Sequence, residues 1–301
     1  MAESSGWARF RRSEAASGLA IISPPALYAI LLLAAPLATV VLVSFYTDSI
    51  NDAGLKVQTP GFSLQNYIEV WTDARYRALM WRSLTVSMSV TLITVLLAYP
   101  IAYFVSFHVA PARKSLWLFL ITIPFWTSYL IRVFLWKVIL GYNGVINSAL
   151  MSAGIIDEPL TAINYNVQAL VMTLAHAYAP FAILPIFVAL EKIDRSFLEA
   201  GQDLGESKFT TFLRVTLPLS MPGVIAAVMI VFIPTVGDYV TPDLIGGGKL
   251  PMIANTIEVQ MLKLQNRALG SALAVSTMVV VAMVTLAFLL LNRRFLRGNS
   301  R

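Results

Sequence analysis

The residues of this chain best suited to engaging another molecule lie between positions 191 and 217. Acids and bases mix there: Glu191, Lys192, Asp194, Arg195, Glu199, Asp203, Glu206, Lys208 and Arg214. Between them Ile193, Phe197, Ala200 and Leu204 recur at steps of three or four. Gly205 interrupts, and Phe209, Phe212 or Leu213, and Leu217 resume the pattern. Such spacing predicts two short amphipathic helices hinged near Gly205, with Pro218 marking the turn into the next apolar run. The chemistry of that surface is non-covalent. One use is an interfacial helix lying under lipid headgroups. The other is a docking face for a soluble partner, a helix set in a groove. Acids gain nothing from an anionic leaflet, which weighs slightly against the first use.

Other chemistries find little support. With no cysteine, disulfides, thiolate metal sites and cysteine nucleophiles are excluded. The two histidines, His108 and His176, stand alone, and no metal-ligand spacing such as HExxH occurs. His176 lies within an apolar run and is placed to hydrogen-bond between helices. "GGGKLP" lacks the upstream glycine spacing and the hydroxyl residue of a nucleotide loop. "SLTVSMSVTLITV" could offer an intramembrane nucleophile, but no companion base emerges, and Ser and Thr also pack membrane helices. The expectation is a chain with no catalytic residues, no metal and no cofactor of its own.

The elements that must position the 191–217 surface are oily. The chain is 57% hydrophobic and 13% charged, against about 25% charged in soluble domains. Spanning helices need about 20 mainly apolar residues. Qualifying stretches are 19–46, 83–107, 115–140, 167–190, 218–236 and 271–292, giving an all-α integral membrane protein with six transmembrane helices as one domain. The first run is too long for the 7–15-residue core of a signal peptide and reads as an uncleaved span. A short helix is expected in the first external loop around "LQNYIEVW". Lysine and arginine set the orientation. Arg9, Arg11 and Arg12, then Arg113 and Lys114, then Lys192, Arg195, Lys208 and Arg214, then Arg293, Arg294, Arg297 and Arg301 fall on one side. They outnumber the basic residues of the opposite loops. Residues 1–18, the loop 191–217 and the tail 293–301 are therefore expected in the cytoplasm. The basic excess serves membrane topology, and no nucleic-acid partner is expected.

Glu199-Ala200-Gly201, then three residues, Gly205, then nine residues and Val215-Thr216-Leu217-Pro218 resemble the loop that identifies permease subunits of binding-protein-dependent ABC importers. Gly201 stands where that family usually has a second Ala, and Val215 where it has Ile. "PFWTSYLIRVFLWKVILGYNGVIN", "AYAPFAILPIFVALEKID" and "GDYVTPDLIGGG" resemble its spermidine/putrescine branch. The resemblance implies a type I ABC importer permease fold. The loop would be a coupling helix inserted in a cleft of an ABC ATPase subunit, with Glu199, Ala200, Gly201, Gly205, Leu217 and Pro218 as the coupling positions. It implies ATP and Mg on that partner ATPase and an extracytoplasmic substrate-binding protein. It also implies a second permease subunit, usually a homologous but different chain in this branch. Related branches import other small organic solutes.

A polyammonium substrate would need carboxylates and aromatic faces, since rings attract ammonium groups by roughly 0.5–2 kcal/mol. The candidates are Trp126, Tyr129, Asp238, Tyr239 and Asp243, with Asp238 foremost. Each has an ordinary alternative: Trp126, Tyr129 and Trp136 as interfacial belt residues, and Asp238 and Asp243 as turn acids beside Gly237 and Pro242. Arg132, deep in the third run, is expected to pair with an acid such as Asp238 or with a carbonyl. Lys137 is expected to snorkel.

Overall fold

The computed structural model describes residues 14–50, 56–163 and 165–297. The basic residues Arg9, Arg11, Arg12 and Arg301 lie outside them. Helix α1 (Glu14–Val43) leads to a two-stranded ribbon, β1 (Thr47–Ile50) antiparallel to β2 (Lys56–Thr59). The short α2 (Gln65–Thr72) follows, where a loop helix was expected, and then the long α3 (Ala74–Phe107). Helices α4 (Pro111–Thr122), α5 (Tyr129–Ile139) and α6 (Val145–Ser152) precede α7 (Val167–Glu191). Next come α8 (Arg195–Asp203), α9 (Lys208–Thr211), α10 (Leu217–Val236), α11 (Val240–Gly246) and α12 (Ile253–Glu258). The chain ends in α13 (Arg267–Leu291) and α14 (Arg293–Arg297). Apart from the small ribbon, the described residues are helical or irregular.

Helices α3, α7 and α10 pack together as the core. Small residues make this possible. Ser83, Ser87, Thr91, Thr94, Ala98 and Ala102 form the buried stripe of α3. Thr91 and Thr94 return their hydroxyls to the carbonyls of Ser87 and Val90 at 2.7 and 2.6 Å. Their polar atoms are thus satisfied inside the helix itself. The closest approach is at Gly223 of α10. A β-carbon there would stand 2.5 Å from both the Ala189 β-carbon and the Pro185 carbonyl oxygen of α7. Contact through small residues is how helices associate where lipid removes the hydrophobic drive. The Tyr99 hydroxyl, 2.8 Å from Ser220 Oγ, ties α3 to α10. Outside this core, α13 carries α1 along its side. None of the apolar residues Ile21–Val43 of α1 is buried.

Two features depart from the expected spans. The run 115–140 is broken: α4, prolonged by a 3-10 turn over Ile123–Trp126, meets α5 at 84°. Thr127 closes the turn with its hydroxyl on the Pro124 carbonyl at 2.7 Å, and Ser128 is extended before α5 begins. Nor does the chain turn at Pro218. Lys208–Val236 is one continuous helical rod of 29 residues. A π turn over Phe212–Thr216 lies just before Pro218, and widening the ladder there accommodates a residue that lacks an N–H.

The Gly223 crossing sets a strict test. Gly223→Ala should lower the stability of the purified protein by about 1–3 kcal/mol, as overpacking does. Gly223→Leu should abolish a monodisperse peak in detergent size-exclusion chromatography.

Candidate functional site: a docking loop and a buried carboxylate

The loop after α7 is built from caps. The Asp194 carboxylate accepts the Ser196 backbone N–H at 3.0 Å and starts α8. That bond, with the Ser196 side chain second, holds the Asp194 carboxyl below the ordinary carboxylate range. Helix α8 stops at Leu204. Gly205, at φ +82°, donates to the Gln202 carbonyl at 2.9 Å, and Glu206 donates to the Gly201 carbonyl at 3.1 Å. This pair of bonds is the Schellman stop, which a β-carbon at Gly205 would strain. Ser207 then caps α9 by accepting Thr210 N–H at 3.2 Å. Arg214 braces the hinge through Glu206 at 2.7 Å.

Gly201 is buried against Thr211, where a β-carbon would stand 3.2 Å from the threonine side chain. The glycine at this expected coupling position therefore serves the crossing of α8 and α9. Glu199 and Ala200 are exposed, while Leu217 and Pro218 are half-buried within the rod. The bare apolar side chains of the loop are Phe197, Leu204, Phe209 and Leu213, with Leu204 85% exposed. Phe209 and Leu213 belong to the periodic pattern, but exposure rather than period marks them as contact residues.

The second cluster sits where the chain leaves α10. Asp238 is 8% exposed. Its Oδ1 accepts the backbone N–H of Val240 and Thr241 at 2.9 and 3.2 Å, and its Oδ2 accepts the Tyr129 hydroxyl at 2.6 Å. The Tyr129 oxygen also lies 2.6 Å from Thr241 Oγ1, and its ring is 6.4 Å from that of Tyr178. The structure thus joins two of the five substrate-path candidates and adds Thr241 and Tyr178, which sequence reasoning missed. The other candidates lie apart from this cluster. Trp126 is 81% exposed, and Asp243 faces outward in the first turn of α11. Tyr239 is exposed and uses its carbonyl to receive Asn255 Nδ2 at 2.7 Å.

Arg132 is buried and donates from Nη1 to the Ala177 carbonyl at 3.2 Å, the second of its two expected partners. Its guanidinium carbon lies 5.9 Å from the centre of the Tyr129 ring. Among the described residues it forms no ion pair with a carboxylate. His176 accepts the Trp136 indole N–H at 3.1 Å, a bond between helices as expected.

A helical bundle with spans of this kind and a bare amphipathic loop between two of them fits the permease subunits of ABC importers. The chain belongs to the family described as binding-protein-dependent transport system inner membrane component, which matches residues 61–297. It is an inner-membrane permease subunit, a transport protein rather than an enzyme. It is 37% identical to the spermidine/putrescine transport system permease protein PotB of Haemophilus influenzae, over 77% of this chain and 82% of that one. It is 35% identical to PotB of Escherichia coli K12, over 75% and 82%. The inner membrane ABC transporter permease protein YdcU of Escherichia coli K12 is 28% identical, over 82% and 80%. The fold matches a chain of a bacterial ABC transporter for the acidic polysaccharide alginate. There the TM-score is 0.69 at 16% identity, covering 98% of this chain and 99% of the other.

Tyr129→Phe removes the hydroxyl that reaches Asp238. A hydrogen bond to a charged group contributes about 1.5–3 kcal/mol. The variant should show that loss in a thermal-unfolding assay of the purified protein.

Proposed function

We propose that this chain forms part of the polyamine pathway of an ATP-driven importer, and that its 191–217 loop is the ridge that inserts into a cleft of a separate ATPase. The observation that carries the substrate is the 35–37% identity to two PotB permeases over three quarters of the chain. Support for docking comes from the bare side chains of Phe197, Leu204, Phe209 and Leu213, beside exposed Glu199 and Ala200. Such a ridge fits a groove in a soluble partner better than a lipid surface, because exposed acids sit next to it. ATP and Mg belong to that ATPase. The remaining partners are a second, homologous permease chain, an extracytoplasmic substrate-binding protein and the surrounding lipid.

The loop and both termini face the cytoplasm in this reading, supported by the positive-inside distribution. The Tyr129–Asp238 cluster lies toward the opposite face. Its buried carboxylate and the rings of Tyr129 and Tyr178 suit a passing ammonium group. Asp238→Asn keeps the two backbone caps and removes the charge.

Two measurements test the proposal. Glu199→Lys with Leu204→Asp should insert normally but fail to co-purify the ATPase; full co-purification would refute docking. In cells without polyamine importers of their own, this permease and its partners should give saturable uptake of labelled putrescine or spermidine. Asp238→Asn should cut that uptake about tenfold, the effect of ~1.4 kcal/mol. No uptake of either polyamine by the unaltered system would redirect the reading to another small organic solute.

A further inference from the structure

The loop's entry and exit are both fastened to α3, and the carboxylate that accepts from α3 at the entry also forms an ion pair with α4. Glu191 is the last residue of α7 and lies three positions before the cap of α8. Its Oε1 accepts the Ser106 hydroxyl at 2.6 Å and the Lys114 ammonium at 2.6 Å. Ser106 is buried near the end of α3, and Lys114 sits in the first turn of α4 with its side chain 13% exposed. One carboxylate oxygen therefore gathers the ends of three spanning segments at the root of the docking loop. At the exit, Phe212 meets Tyr99 and Tyr103 of α3 edge-on at 5.6 and 6.0 Å.

We propose that Glu191 is a positioning residue, the clasp through which movement of the loop is passed to α3 and α4. The assignment rests on the docking reading above. A displacement of α8 would reach α7 and α10 directly, because the loop is continuous with both. Helices α3 and α4 are not directly continuous with the loop, so they follow it through their packing on α7 and α10 and through the contacts at its ends. The edge-on aromatic contacts at Phe212 are individually weak, and they hold less firmly against sliding than an ion pair with a short hydrogen bond. The Glu191 contact is charge-assisted, short and directional, so it resists sliding. Its two donors also differ usefully: the serine hydroxyl would serve a glutamine equally well, whereas the lysine needs the anion.

Lys114→Met, which lies outside the 191–217 loop, should still co-purify the ATPase and leave its basal hydrolysis unchanged, and it is read beside Glu191→Gln. Transport per ATP hydrolysed should fall about three- to fivefold, the scale of a partly exposed ion pair. The exchanged pair, Lys114→Glu with Glu191→Lys, should recover most of that loss, which a merely structural defect would not. Unchanged transport per ATP in both single variants, or an exchanged pair no better than they are, would overturn the clasp. Should a single variant fail to reach the membrane, the natural absence of cysteine permits another test. Ser106→Cys with Glu191→Cys, joined by a short bis-methanethiosulfonate that each thiolate attacks with release of sulfinate, should keep its uptake, and loss of uptake on cross-linking would overturn the proposal. Loss of ATPase co-purification from the unaltered permease would instead strike the docking reading.

Discussion

The approach of α10 to α7 at Gly223 is the contact on which the rest of the molecule depends. With no side chain there, the backbone of one helix lies against Pro185 and Ala189 of the other. Both helices lead into the 191–217 loop, one at its entry and one at its exit. A gap between them would let those ends move independently. Held together, they make the loop a rigid projection of the bundle. Water supplies no hydrophobic drive in lipid, so this rigidity comes from close packing and from internally satisfied polar groups. The returned hydroxyls of Thr91 and Thr94 and the Tyr99–Ser220 bond are of the same kind.

The two functional regions use charge differently. At the loop, ions are exposed or bridged at the surface, as Glu206 and Arg214 are, and such pairs tune geometry more than stability. In the Tyr129 cluster, Asp238 is buried and accepts from three donors, and among the described residues it forms no ion pair, although Arg132 stands on the ring of Tyr129. Two of those donors are backbone groups that any acid in this turn would recruit. The third comes from Tyr129 at the break between α4 and α5. The break therefore has a purpose: an unbroken helix over 115–140 would place Tyr129 on a straight rod, not at the first turn of a segment set at 84° to its predecessor.

Most of the fold was readable because it rests on local rules. Apolar runs located the long helices, the three-or-four spacing located α8 and α9, and Gly205 marked the stop between them. The family resemblance also held for the class of protein. What escaped were features with no local signature. The run around residues 123–128 is apolar on both sides of its bend, so hydropathy passes straight over it. Pro218 promised a turn because proline ends soluble helices, yet here the preceding π turn absorbs it. Tyr129 and Asp238 are 109 residues apart, and Ser106 and Glu191 are 85 apart. Only tertiary packing brings such pairs within reach: α5 against α11 for the first, and α3 against α7 for the second.

The widened turn at Phe212–Thr216 has a mechanical meaning. It holds one surplus residue inside an otherwise regular rod. Were that surplus to migrate by a single position, each residue it passed would swivel by about 100°, the angular step of a helix with 3.6 residues per turn. The part of the rod before the widened turn could then screw relative to the part after it, with no segment melting. A thrust along the axis would emerge as torsion.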